Sequence, residues 1–485
     1  MEEYIKKLLE QIRFRKAHKA IGDEIRLHIE EQISANISEG MDKETAEKKA
    51  VEDMGDPVDA GIALDKVHRP QMAFGVIIIA IVVAVIGAIA NYCLAKDFFT
   101  SYSLDEAPHA YLNGGEAYIR SAILGIIVML LLYLIDYATV AKYSKIAAIA
   151  ILFSYAVMSF ANYKYSVIFE IDNYAEKPGW YVLVSRIFGW SGSKLFLIVP
   201  LFAGILYKYR GQKSRAVSKA ILWIIVTAII SSRNQTMGFR AVAIVICMLV
   251  ELTIAIKKEW IKVPKIPTLI SVWSLFTVVP AGILLLIYKN MWFLHKKGLL
   301  GIWQMETMRS WFVQDSEMKR IRELLGGISI VGSGFVSSFD GQINVPTINY
   351  VRNSYGGDRI LTDIVAVWGL LAVLGAITIV AGIIVIGFVT LSKTKNQLGM
   401  VMGSGCMMWL TVNAIYNACV AFGLIRFPNY PQSFFPFLSS RNLVASYALL
   451  GIILSIYKYK NAYSQHIDLS IHSGTEELRS LIRHK

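Results

Sequence analysis

Long apolar runs, each bounded by charged residues, repeat along this chain from Met72 to Tyr457, whereas the first 70 residues follow a shorter, amphipathic period. A helix rising 1.5 Å per residue needs about 20 apolar residues to cross a hydrocarbon layer. About ten runs approach or meet that length. They predict helices over 72–94, about 119–135, 144–161, 195–207, 219–231, 239–256, 268–288, 364–391, 398–424 and 443–457. The expected fold is an all-α polytopic membrane protein with a small N-terminal cytoplasmic helical bundle. Composition agrees, because 55% hydrophobic residues, 18% charged residues and a mean hydropathy of +0.48 exceed what one water-soluble core hides.

Residues 1–70 read as a separate helical unit. Ile5, Leu8, Leu9 and Ile12 share one helix face, and Ile21, Ile25, Leu27, His28 and Ile33 continue the pattern into a second helix that Gly40 ends. A third helix begins near Asp42 and carries Ala46, Ala50, Val51 and Met54 before Gly55 stops it. Asp56 and Pro57 then supply a cap and a first-turn proline for a fourth. Glu24-Ile25, His28-Ile29-Glu30, the stretch 40–50, Met54-Gly55-Asp56-Pro57 and His68-Arg69-Pro70 together resemble the permease prefix domain, a short cytoplasmic unit ahead of diverse bacterial membrane proteins. The resemblance implies a folded spacer or a regulatory, partner-docking unit.

The formal charge of +13 does not come from this unit, which holds 12 basic and 16 acidic side chains. It comes from loops between the apolar runs. Lys208, Arg210, Lys213, Arg215 and Lys219 form one basic loop, and Lys257, Lys258, Lys262 and Lys265 another. If the spans alternate, Lys142, Lys145, Lys393, Lys395, Lys458 and Lys460 fall on the same side. Short basic loops stay in the cytoplasm, so both termini, including the tail 461–485, are expected inside a bacterial cytoplasmic membrane. The ten-span region is expected over 71–460, with its dominant outer loop at about 289–361. The basic excess reads as topology and attraction to anionic membrane lipids, and no nucleic-acid motif accompanies it. The four cysteines lie in apolar runs without paired spacing and read as small core residues. The charged first 70 residues contain no apolar stretch of signal-peptide length, so the first span is expected to act as an internal insertion signal.

Candidate chemistry concentrates on the outer side. Asp363 stands with Thr362 at the head of the eighth run, where a carboxylate is costly to hold. Its plain reading is a helix cap or first-turn acid; its chemical reading is a general base, with burial and the helix N-terminus pulling its proton affinity in opposite directions. The glycine-bearing segment Gly332-Ser333-Gly334 precedes it, either a flexible turn or a backbone that approaches a large substrate closely. Asn417 lies in the ninth run, as a substrate contact or a bond between helices, and Pro436-Phe437-Leu438-Ser439 opens the last. Among outer-side cations, Lys194, Arg240 and Arg309 rank first for binding phosphate oxygens, each with a competing reading as an interfacial anchor. No His, Cys and carboxylate cluster has metal-ligand spacing. Glu251 is a further carboxylate inside the sixth span, with no evident partner in the sequence.

Several of these marks recur together in one family. Arg120, Leu124-Gly125-Ile126, Met129 and Ile135-Asp136-Tyr137 around the second span, then Gly332-Ser333-Gly334, Thr362-Asp363, Asn417, Gly423-Leu424, Pro431 and Pro436-Phe437-Leu438-Ser439, resemble in order and approximate spacing the SEDS family of cell-wall glycosyltransferases, the FtsW, RodA and SpoVE proteins. The resemblance covers roughly 72–460. This chain departs from the pattern where the family places two glutamates after Thr-Asp, carrying Ala366-Val367-Trp368-Gly369-Leu370-Leu371 instead. Ser191-Gly192-Ser193-Lys194 and Gln235-Thr236-Met237-Gly238 also stand where the family has other residues.

The resemblance implies polymerisation of lipid II into glycan strands at the outer membrane face, with Asp363 as the catalytic carboxylate. Thr362, Lys194, Arg240, Arg309, Gly332, Ser333, Gly334, Asn417, Pro436 and Ser439 would meet the substrate. It also implies a class B penicillin-binding protein as transpeptidase partner, and the pyrophosphate chemistry suggests Mg²⁺ or Mn²⁺. Two other classes fit the same features: a flippase or transporter of a lipid-linked precursor, and a non-catalytic membrane regulator of cell-wall synthesis.

Overall fold

The computed structural model describes residues 1–99, 112–172, 178–189, 194–232, 238–297, 316–337, 344–346, 360–425, 435–461, 463 and 467. Four helices open the chain: α1 (Glu2–Glu10), α2 (His18–Ser38), α3 (Lys43–Asp53) and α4 (Pro57–His68). Their turns follow the local chemistry. Gly40 and Gly55 take positive φ, the Asp42 carboxylate accepts the Thr45 N–H at 3.1 Å, and that of Asp56 accepts the Val58 N–H at 2.7 Å ahead of Pro57. Tyr4, Ile5, Leu8, Ile12, Ala17, Ile21, Ile29 and Ala50 form one buried cluster. The expected places of Leu27 and His28 in that stripe are corrected, since both side chains are exposed. The inner stripe runs instead through Ile21, Ile25, Ile29 and Ile33, at a spacing of four.

The remainder is a helix bundle of membrane type. It contains α5 (Phe74–Phe99), α6 (Leu112–Leu134), the short α7 (Tyr137–Lys142), α8 (Ser144–Asp172), α9 (Gly179–Phe188), α10 (Ile198–Lys208), α11 (Ser214–Ser232) and α12 (Gly238–Lys257). After these come α13 (Lys265–Phe276), α14 (Val278–Lys289), α15 (Met291–Lys296) and α16 (Ser316–Gly326). The strands β1 (Phe335–Ser337) and β2 (Asn344–Pro346) pair antiparallel, and α17 (Ile360–Trp368), α18 (Leu370–Ser392), α19 (Gln397–Ala421) and α20 (Ser440–Lys458) complete the chain. Among the described residues, seven segments are long and apolar enough to cross a membrane, and Leu195–Lys208 and Asn442–Lys458 are shorter apolar helices. With α12 these coincide with the ten predicted runs.

Packing follows the logic of a lipid solvent. Ala80 and Ala84 of α5 face the bundle, while Ile78, Val82, Val85 and Ile89 face outward. Small residues let helices approach closely where hydrophobicity gives no preference between protein and lipid. At the centre, α10 is buried from Ile198 to Tyr207 and packs on α7, α8, α12 and α19. The segment Leu195–Lys208 is only about 20 Å long by its rise. That is too short for a lipid-facing span but sufficient for one walled by protein on all sides.

Two predicted runs are broken. The seventh divides at Thr277 between α13 and α14, because Pro280 has no N–H to donate and its ring clashes with the carbonyl four residues earlier. The eighth divides at Gly369, so residues 364–391 are not one continuous helix. A nine-residue helix, α17, precedes the spanning α18.

Candidate active site at a broken span

The break in the eighth span brings together two motifs that lie about 30 residues apart in sequence. Gly369 has φ +87°, and a Cβ there would come within 2.8 Å of the Ile330 carbonyl oxygen and 2.9 Å of that of Ser329. Both conditions demand glycine. The loop at 329–332 then serves the helix ends. The N–H groups of Leu370 and Leu371, among the first donors of α18, bond to the carbonyls of Ser329 and Ile330, each at 3.2 Å, and the Gly332 N–H donates to the Trp368 carbonyl at 3.1 Å. Backbone groups at a break near lipid need partners, and the glycine-bearing loop supplies them. Gly332 holds φ +82°, a conformation that strains any other residue, and a Cβ on Gly334 would fall 1.9 Å from the Gly327 carbonyl oxygen, which excludes a side chain there. Ser333 is exposed.

Thr362 and Asp363 lie in the first turn of α17, each 7% exposed, and the helix is buried from Ile360 to Val367. It packs on α5, α18 and α19. Asp363 is therefore not at the mouth of a long lipid-facing helix, the place expected from hydropathy. It stands seven residues before the spanning part, inside a protein-walled element.

On α19, the Asn417 amide donates to the Asn413 carbonyl at 2.7 Å, and the Asn413 amide donates to the Trp409 carbonyl at 2.8 Å. Asn413 is fully buried, and its Oδ1 has no hydrogen-bond partner among the described residues. The i, i+4 pair on one helix face was visible in the sequence but only Asn417 was singled out. Behind it, Gly423 ends α19 with φ +63°, and its carbonyl accepts weak bonds from Nε and Nη2 of Arg322, each at 3.4 Å. Sequence reasoning missed Arg322, because its helix α16 reads as a polar, solvent-facing element.

Pro436, Phe437, Leu438 and Ser439 are buried where α20 begins. Phe437 takes φ +63°, unusual for a side chain, and the fold over-determines it. Its carbonyl accepts the Tyr118 hydroxyl at 2.8 Å, and its ring meets Tyr447 edge-on at 5.4 Å. Asn91 of α5 donates to the Leu438 carbonyl at 3.2 Å and to the Gly87 carbonyl at 2.8 Å. Ser439 is 6% exposed and its N–H bonds to the Phe435 carbonyl at 3.1 Å. Asn91 and Tyr118 are further polar residues at this end that the sequence did not single out.

The helix directions place Asn91, Tyr118, the loop 329–332, Asp363, Asn417 and residues 435–439 at the end of the bundle opposite the basic loops. Lys194, partly exposed, precedes α10 at the same end. The Arg240 side chain and the whole of Arg309 lie outside the described residues, as do Pro431 and most of the outer loop. Among the described residues no group of three His, Cys, Asp or Glu side chains is placed to hold a metal ion. Glu251 is elsewhere, wholly buried at the packing of α12 on α19.

This end of the bundle carries one buried carboxylate, a glycine-shaped loop that closes the far end of its helix, and amide and guanidinium groups on α19 and α16. A buried carboxylate can take a proton from a substrate hydroxyl. No family model matches the chain, and no curated protein matches it. Among solved structures, a chain from work described as "Structural coordination of polymerization and crosslinking by a peptidoglycan synthase complex" is 14% identical; the match covers 80% of this chain and 98% of that one, with a TM-score of 0.48. The overlay is loose, and no residue role is carried over from it.

Proposed function

We propose that this chain polymerises lipid II into glycan strands at the outer face of the bacterial cytoplasmic membrane, with Asp363 as general base and both termini in the cytoplasm. The observation that carries this reading is the seating of Thr362-Asp363 in a buried helix whose end is closed by the loop of Gly332 and Gly334. The resemblance to the SEDS family, resting on those same motifs, supplies the substrate. In the proposed reaction a sugar hydroxyl of the incoming lipid II attacks the anomeric carbon of the growing strand. The new C–O bond forms as the bond to the lipid pyrophosphate breaks, the proton passes to the Asp363 carboxylate, and the pyrophosphate departs with its lipid.

Arg322 and Lys194 are the described cations suited to meet that leaving charge, with Arg240 and Arg309 as further candidates. Substrate contacts are assigned to Thr362, Gly332, Ser333, Gly334, Asn417, Pro436 and Ser439. Mg²⁺ or Mn²⁺ is proposed to arrive on the pyrophosphate oxygens of the substrate, where the ion would offset negative charge. A class B penicillin-binding protein is the proposed partner that crosslinks the product.

The test is glycan polymer formation from lipid II by wild type and Asp363→Asn, with and without the transpeptidase. Loss of a general base costs about 10²- to 10⁴-fold, so the variant is expected to make no detectable polymer while melting as wild type does. Full activity in Asp363→Asn would sink the assignment. No polymer from either protein, under conditions that activate an ordinary SEDS enzyme, would transfer the reading to a regulator or a lipid-precursor transporter.

A further inference from the structure

At the basic end of the bundle, the first and last parts of the chain meet on an aromatic cluster unrelated to the site above. Asp136 caps α7 by accepting the Ala138 N–H at 2.9 Å through one carboxylate oxygen, and its other oxygen accepts a short hydrogen bond from the Tyr463 hydroxyl. Both side chains are buried. The Tyr463 ring packs edge-on against Tyr137 at 5.8 Å and near Tyr459 at 5.7 Å. Beyond it, the Tyr207 hydroxyl accepts the Ile467 N–H at 2.7 Å and donates to the Ile467 carbonyl at 3.0 Å, tying the tail to the end of α10.

Phe14 reaches this cluster from the turn between α1 and α2. Its ring stacks on Tyr459 at 5.4 Å and meets Tyr463 edge-on at 5.6 Å. The turn that carries it is held on both sides. The Arg13 N–H donates to the Asp65 carboxylate at 3.0 Å, the Arg13 guanidinium pairs with the same group at 3.3 Å, and His18 donates to the Ile12 carbonyl at 2.7 Å. Asp65 is a buried acid of α4. A side chain presented on a turn braced by two helices is pre-organised for a contact, which lowers the entropy lost in making it.

We propose that the face formed by Tyr459 and Tyr463, backed by Asp136 and Tyr137, is a docking surface for the chain's own N-terminal four-helix unit, with Phe14 as its anchor. The unit is thereby latched to the membrane bundle and does not swing on the linker at 69–73. The tail is the intermediate: Phe14 covers Tyr463, Tyr463 holds Asp136, and Asp136 caps the turn between the second and third spans. A protein that gripped the N-terminal unit would reach the bundle through this chain of contacts.

Hydrogen exchange on the full-length protein in lipid nanodiscs tests the latch without any polymerisation assay. Phe14→Ala is expected to raise exchange of the amides at 455–461 and 137–143 by about tenfold, while α1 to α4 keep wild-type rates and Phe14→Tyr changes little. Tyr463→Phe, which keeps the ring and loses the bond to Asp136, is expected to affect 137–143 more than α1 to α4. Exchange at 455–461 unchanged in Phe14→Ala would overturn the proposal. Should Phe14→Ala loosen α1 to α4 themselves, a cysteine pair at Arg15 and Lys460 in a background lacking the four native cysteines decides. A short bis-maleimide is expected to join them, and failure to do so with both parts folded overturns the latch.

Discussion

Gly405 shows how little room the centre of the bundle leaves for one methyl group. A Cβ there would lie 1.8 Å from Glu251 Oε1 and 2.6 Å from its Cδ, and the carboxyl it meets is wholly buried. Gly405→Ala is therefore expected to destabilise the protein by about 1–3 kcal/mol, measured as thermal or denaturant unfolding in detergent. Combining it with Glu251→Ala should recover most of that loss, because the partner of the clash is gone, and additive effects of the two changes would refute the contact. At this scale the sequence was informative about which residues are unusual. Asp363, Glu251 and Asn417 stand out as polar groups in apolar runs. It was silent about their neighbours, since Gly405 and Glu251 are 154 positions apart and meet only through helix packing. Leu27 was misplaced for a related reason: a helical period alone does not say which neighbouring apolar residue drops off the inner face.

The helices themselves were legible almost to their ends, because hydrocarbon thickness imposes a length that hydropathy reports directly. The breaks were not equally legible. Pro280 announces the interruption at Thr277, whereas the interruption at Gly369 depends on a carbonyl pair from residues 329 and 330 that no local window contains. Substitution of Gly369 by Ala meets those backbone atoms and a left-handed φ together. It is expected to cost at least about 1–2 kcal/mol and to remove the exchange protection of the Leu370, Leu371 and Gly332 amides. Gly375→Ala and Gly382→Ala, in α18 with nothing within 4 Å of the added atom, should be neutral or slightly stabilising. Equal effects at all three positions, read by exchange and by unfolding, would mean that the loop does not seal the helix ends as described.

Across the whole molecule, the second span and the last are packed most closely, and hydrogen bonds tie the first span to the last. The Tyr447 hydroxyl donates to the Ala80 carbonyl at 2.9 Å, a Cβ on Gly125 would fall 2.9 Å from the Tyr447 ring, and Tyr118 secures the Phe437 carbonyl. Tyr118→Phe leaves that buried carbonyl without its donor and should cost about 1–2 kcal/mol, with faster exchange around 435–442 as the reporter. An unchanged exchange pattern there would show that the strained Phe437 turn is held by other means. No sequence pattern announced this closure, because contacts between residues more than 300 positions apart leave no periodic trace.

The closure has a consequence for biosynthesis. The helix bearing Asp363 is flanked by α5, made near the start, and by α19, made near the end, and the turn at 435–439 is placed by residues 91 and 118. A ribosome must therefore finish almost the entire polypeptide before these residues can be brought to one end of the bundle. Chains stalled before residue 397 would lack α19, one of the walls against which the helix bearing Asp363 is buried.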